Sequence, residues 1–234
     1  KEHRWAHPAL AVGVGLLAVP VLKILWIPNY VFNFLTTFTH ECGHALFAWL
    51  TGRASLPTVS VAGGGVTVWS DPHFSVVLMI DLIPIFLAWR SRSNKLACGI
   101  SAGVAVLYPV VGWFGAEMLP IAGGVLTECL GAAACFYVVF GVDLKRPFER
   151  HLYSAWGWWM IINRGAESIA MKHDWNSTRV YESGLAAGLT EDLHRAQEML
   201  GWAPSSVLTV VLVMCAVAMP AGVLAGWVAR KRRE

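Results

Sequence analysis

Two histidines and a glutamate lie close together in the first quarter of the chain, in the sequence His40-Glu41-Cys42-Gly43-His44. The histidines are four residues apart, so on a helix both imidazoles project from one face and can bind a single metal ion. Glu41 lies beside the first histidine, where its carboxylate can take a proton from a metal-bound water. If the metal is zinc, the pKa of that water falls to about 7, and the resulting hydroxide can attack a peptide carbonyl. The motif predicts a Zn²⁺ centre with His40 and His44 as ligands and Glu41 as the general base.

Five-residue motifs of this kind also arise by chance, and the surrounding residues decide how this one is interpreted. The motif is flanked by apolar side chains such as Phe38 and Phe47. Ionisable groups within an apolar membrane helix carry a high free-energy cost and are expected there mainly when they bind something. The competing interpretation, hydrogen bonds between neighbouring helices, is therefore less favoured.

The composition places the motif in a membrane protein. Hydrophobic residues make up 56% of the 234 residues and charged residues only 14%, which excludes an ordinary soluble domain. Apolar segments near the ~20 residues needed to cross a bilayer recur along the chain. They cover residues 9–27, 30–50, 75–89, 96–114, 121–142, 152–171 and 207–228. We predict one integral membrane domain over residues 1–234, an all-α polytopic protein with about six to seven transmembrane helices.

Two segments interrupt this helical pattern. Residues 52–74 contain two β-prone runs separated by Gly63-Gly64-Gly65, which predicts a small β-hairpin inserted after the motif helix. Residues 172–204 form the longest polar stretch and are expected outside the membrane. Within that stretch, Thr190 is a good N-cap for a short amphipathic helix that Gly201 would end.

Charged and sulfur-containing residues give topology and exclude other site types. The basic residues fall in short loops around residues 90–95 and 145–150 and at the C-terminus, which predicts that these loops are cytoplasmic. The hairpin and the polar stretch then lie on the opposite face. This distribution does not form a nucleic-acid-binding patch. The five cysteines have no Cys-x-x-Cys spacing, so neither a thiolate zinc site nor a disulfide framework is predicted.

A catalytic zinc ion needs a third protein ligand, and three aspartates are candidates. Asp174 follows the sixth apolar segment on the side where the motif segment ends, so it is the first choice. Asp192 in the short amphipathic helix and Asp81 in the third apolar segment are the alternatives. For Asp192 the simpler interpretation is a carboxylate placed favourably at a helix start. Asp81, like Glu128, can instead be a buried acid bonded to a neighbouring helix.

The stretch from Thr39 to Gly52, followed by the glycine-rich segment that ends at Thr67, resembles the site-2 protease superfamily of intramembrane zinc metallopeptidases. The resemblance is closest to its compact bacterial, peptidase-M50B-like branch. It implies that His40 and His44 bind zinc, that Glu41 is the general base, and that an aspartate from a later helix, carried over to Asp174, is the third ligand. It also implies that the hairpin holds an extended substrate. Better-known members carry the third ligand in a Leu-Asp-Gly motif, and this chain has no Asp-Gly pair.

Three functions follow as hypotheses. The first is a multi-pass protease, expected in the bacterial cytoplasmic membrane, that cleaves a transmembrane or juxtamembrane peptide bond. The second is a non-catalytic zinc-binding or structural subunit of a larger membrane complex. The third and weakest is an ion transporter that uses Asp81, Glu128 and Glu167, which lie in no recognisable pair of broken helices. Expected partners are membrane lipids and a transmembrane substrate or partner complex, with no nucleic acid.

Overall fold

A computed structural model describes residues 7–61, 64–173 and 187–233. Within these residues the chain forms eight helices and one two-stranded antiparallel hairpin. In chain order they are α1 (Pro8–Ile24), α2 (Trp26–Leu50), β1 (Ser55–Val59), β2 (Gly65–Trp69), α3 (Phe74–Arg90), α4 (Lys95–Phe114), α5 (Met118–Gly141), α6 (Pro147–His173), α7 (Ala187–Leu200) and α8 (Pro204–Lys231). The predicted all-α polytopic class, with a hairpin after the motif helix, is confirmed.

The described helices include fewer candidate membrane spans than the sequence predicts. Among the described helices, α4, α5 and α8 are long and apolar enough to cross a membrane, and a fourth span results if α1 and α2 count as one. Helix α3 has only 17 residues, and α6 carries Arg164 and Glu167. By length and composition, the described residues thus contain three or four candidate spans, where about six to seven transmembrane helices were predicted.

Helices α1 and α2 form a bent pair, where the sequence suggested two separate spans. They meet at Leu25 and differ in direction by 110°. Pro28 explains the break, because it has no N–H to donate to the carbonyl of Ile24 and its ring clashes with that carbonyl. The start of α1 lies beside the basic end of α8, since Pro8 and Arg230 line the same cavity.

Helix α5 is the centre of the bundle and packs against α2, α6 and α8. Glycines allow these close approaches: Gly43 meets Gly123 between α2 and α5, and Gly226 lies against Gly141 between α8 and α5. A methyl group at any of these positions would overlap a backbone atom of the facing helix. Small residues at such contacts let membrane helices pack by van der Waals contact.

The α3–α4 pair stands at the edge of the bundle, with its apolar side chains largely exposed. The Tyr108 hydroxyl of α4 donates to the carbonyl of Leu50 at the end of α2, 2.7 Å away. His73, just before α3, donates its backbone N–H to the Gly52 carbonyl. Asp81 is buried within this pair.

Candidate metal centre

His40, Glu41 and His44 lie in the C-terminal half of α2, and all three are buried. The helical spacing brings the two imidazoles to one side, as the sequence predicts, with ring centroids 4.5 Å apart. Helix α5 runs directly against this side. Gly124 makes room for the His40 ring, because a methyl group at this position would overlap the imidazole.

Each imidazole is held from behind through its Nδ1 atom. Nδ1 of His44 lies 2.7 Å from the carbonyl oxygen of Pro120, and a carbonyl only accepts, so this nitrogen must carry the proton. Nδ1 of His40 lies 2.8 Å from a carboxylate oxygen of Glu128 and donates to it. Both Nε2 atoms therefore face the opposite side, where they can serve as ligands to a metal ion.

A carboxylate from a later helix completes the group. One oxygen of Asp192, in α7, lies 2.9 Å from Nε2 of His44 and 3.2 Å from Nε2 of His40. The two Nε2 atoms are themselves 2.9 Å apart. Among the described residues, His40, His44 and Asp192 form the one group of three ligand atoms compact enough to hold a metal ion.

These distances fit a tetrahedral zinc ion after a small expansion. Bonds of about 2.0–2.2 Å place the ligand atoms of such an ion roughly 3.3–3.6 Å apart. The three atoms, at 2.9–3.2 Å, need to separate by only a few tenths of an ångström. Two imidazoles and one carboxylate with a position left for water are also the ligand types of a catalytic zinc site.

The three candidate ligand atoms require a positive charge between them. With their protons on Nδ1, the two neutral imidazoles present lone pairs at Nε2, and both lone pairs face the Asp192 carboxylate. Three acceptors that converge in a buried place repel one another unless a positive charge lies between them. A bound metal ion or additional ring protons would supply that charge.

Asp192 is suited to remain ionised at this position. Burial alone would raise the pKa of Asp192, but when His40 and His44 carry additional protons at Nε2, their hydrogen bonds to the carboxylate outweigh burial and hold the pKa of Asp192 below its ordinary value. The carboxylate is thus deprotonated, as a metal ligand must be, at neutral pH.

Behind His40 lies a buried ionic cluster from α5 and α6. Arg164 donates from Nε to one Glu128 oxygen at 2.8 Å and from a terminal nitrogen to the other, so the pair is bidentate. Arg164 also donates to Glu167, three residues further along α6, at 3.0 Å. The guanidinium balances the charge of Glu128, so this carboxylate can stay ionised while it accepts from His40.

The Glu41 side chain contacts the hairpin. The Thr67 hydroxyl of β2 lies 2.7 Å from a carboxylate oxygen of Glu41 and donates to it. Gly65 passes so close to Glu41 that a methyl group there would overlap the side chain. The hairpin therefore covers the glutamate that the motif assigns as base.

The structure brings together His40, Glu41, His44 and the hairpin, as the sequence predicts. Asp174 lies outside the described residues, so its assignment as ligand stays a prediction. Asp81 lies in α3, outside the ligand group, whereas Asp192, the other alternative, lies within it. The sequence did not indicate that Glu128 supports His40, although an isolated acid in an apolar segment is a signal for such a role. It gave no signal for Thr67.

The sequence matches a known family over most of its length. The profile of the family described as Peptidase M50B-like matches residues 9–223, which is nearly the whole chain and includes the motif, the hairpin and Asp192. No curated protein matches the chain significantly, and no solved structure does.

Proposed function

The chain belongs to the peptidase M50B-like family, and on that premise we propose that it is an intramembrane zinc metallopeptidase that cleaves transmembrane or juxtamembrane peptide bonds. The observation that carries the proposal is the convergence of Nε2 of His40, Nε2 of His44 and a carboxylate oxygen of Asp192 within 3.2 Å. Glu41, next to the first of these histidines, remains outside the ligand group and is available as a base. The family supports the membrane metallopeptidase class.

His40, His44 and Asp192 are the residues proposed to hold the metal. Zinc bound there would lower the pKa of a water molecule and polarise the substrate carbonyl. Glu41 then accepts the proton of the attacking water and passes it to the leaving nitrogen. Thr67 fixes the Glu41 carboxylate through its hydroxyl, and the buried position of Glu41 limits competing contacts with bulk water.

The substrate must be extended where it is cut. A peptide in a membrane helix has its carbonyls bonded within the helix, so only a locally unwound segment exposes one. The hairpin contacts Glu41 through β2 and offers outer strand edges to which an extended segment can hydrogen-bond. The proposed substrate is a membrane protein, and the proposed location is the bacterial cytoplasmic membrane.

The metal requirement tests this function directly. Purified protein in detergent is expected to cleave a reporter with one transmembrane segment, to lose that activity after chelation, and to regain it with added zinc. Magnesium is expected not to restore cleavage, because it prefers oxygen ligands and octahedral geometry. Mass spectrometry of the products gives the cleaved bond. Undiminished cleavage in the fully chelated protein would contradict the proposal.

Glu128 gives a second test, since it supports a ligand without touching the metal. Replacing Glu128 by Gln removes the buried charge that accepts from His40 and pairs with Arg164, and we expect the zinc Kd to rise about 10-fold to 100-fold, as for other supporting carboxylates. Glu167→Gln is the matched control, because Glu167 also bonds Arg164 but its side chain is 44% exposed. Zinc titration with a fluorescent competitor gives both values. Equal zinc Kd values for the two variants would show that Glu128 does not support metal binding through His40.

A further inference from the structure

A cavity of about 200 Å³ lies between α5, α7 and α8. Its walls are almost wholly apolar and include Ile121, Ala122 and Val125 from α5, Leu193 from α7 and Val211 from α8. Asp192 is the single ionisable side chain among the described residues that line it. The mechanism above makes no use of this space.

The cavity adjoins the metal centre through shared walls. Asp192 both lines the cavity and lies 2.9 Å from Nε2 of His44. On α5, Ile121 follows Pro120, whose carbonyl holds His44, and Val125 follows Gly124, against which the His40 ring packs. When the carbonyl of a substrate peptide lies at the metal centre, a substrate side chain next to that carbonyl can therefore reach this cavity.

We propose that this cavity is the pocket for the substrate side chain next to the cleaved bond, and that it selects a large apolar residue such as leucine, methionine or phenylalanine. The inference rests on the proposed peptidase function and names the residue class that the peptidase prefers. An apolar cavity of ~150 Å³ in another protein holds benzene, so about 200 Å³ accommodates any of these side chains.

The same features exclude other residue types. A charged side chain, whether lysine, arginine, glutamate or aspartate, would lose its water shell against these apolar walls. Alanine would fit but leave most of the cavity unfilled. Each methylene that fills an apolar enzyme pocket changes kcat/KM by roughly 10-fold to 200-fold, so leucine is expected to exceed alanine by at least the lower figure.

The experiment uses a set of reporter peptides that differ only at the positions flanking the cleaved bond, where each carries alanine, leucine, phenylalanine or lysine. The parent is expected to cleave the leucine and phenylalanine peptides at least about 10-fold more efficiently than the alanine peptide. Ala122→Phe, which fills the cavity from α5, is expected to reverse that order. Ala102→Phe, the same change on the exposed face of α4, is the matched control and is expected to keep it.

Binding separates this inference from the proposed function. Fluorescence anisotropy of the same peptides with the Glu41→Gln variant reports pocket occupancy without cleavage, and zinc content reports whether the centre is intact. Tighter binding of the leucine peptide than of the alanine peptide supports the pocket if Ala122→Phe abolishes the difference. This result supports the pocket even if no peptide is cleaved. If the parent and Ala122→Phe both cleave all four peptides at the same rate, the pocket assignment is overturned, whereas the proposed peptidase function is supported. If Ala122→Phe does not fold, Ala122→Leu tests the same reversal with a smaller side chain.

Discussion

Replacing Glu41 by glutamine is expected to abolish peptide cleavage while zinc content stays close to that of the parent. Glutamine has nearly the same shape, and its amide oxygen can still accept the hydrogen bond from Thr67. It cannot take a proton from water at neutral pH. General-base catalysis typically contributes about 100-fold to 10,000-fold, so the cleavage rate of the variant should be lower than that of the parent by at least about 100-fold.

The measurement compares cleavage of a transmembrane reporter in proteoliposomes with zinc content by metal analysis. Glu117→Gln, which removes the same charge from an exposed position just before α5, is the control and should keep full activity. Equal cleavage rates for Glu41→Gln and the parent would contradict the peptidase assignment. A parent that binds one zinc ion but cleaves no membrane peptide would favour the alternative, a non-catalytic zinc-binding subunit of a membrane complex.

Replacing Asp192 by alanine is expected to have the largest effect on zinc binding among the carboxylates of the chain. It removes one of three proposed ligands and leaves two imidazoles, so the zinc Kd should rise by more than the ~10-fold to 100-fold seen for supporting residues. The side chain projects from α7, and its loss removes no large apolar group from the core. The fold should therefore persist while zinc dissociates.

Asp174→Ala is the comparison that decides between the two aspartates. If Asp192 is the ligand, zinc affinity of the Asp174 variant should match that of the parent, and Asp192→Ala alone should lose both zinc and cleavage. Isothermal titration of the metal-free proteins gives the affinities, and thermal unfolding checks that both variants are folded. The reverse order of affinities would assign the ligand to Asp174, as first predicted from the sequence.

Local patterns predicted the parts of this protein that local physics determines. Hydrophobic runs located the helices, the glycines at 63–65 located the hairpin, and the four-residue spacing placed His40 and His44 on one side of α2. Gly201, with φ of +62°, follows the end of α7 as predicted for a helix-terminating glycine. In each case the relevant forces act within a few residues along the chain.

Long-range packing determined what the sequence did not reveal. Asp192 reaches the histidines because α7 packs against α5, and 152 residues separate it from His40. Glu128 is likewise brought behind His40 by the contact between α5 and α2. The bend at Leu25 is an intermediate case, because Pro28 signals it locally but residues 9–27 and 30–50 were interpreted as two separate spans.

The supports for the two histidines come from one helix at regular intervals. Pro120, Gly124 and Glu128 are spaced by four residues and lie on the same face of α5, opposite α2. One added or deleted residue within this stretch would turn the following side chains by about 100° around the helix axis. Glu128 would leave His40 while Pro120 still held His44. The segment from Pro120 to Glu128 can thus accept some changes in residue type but no change in length, and any variation in chain length has to fall outside it.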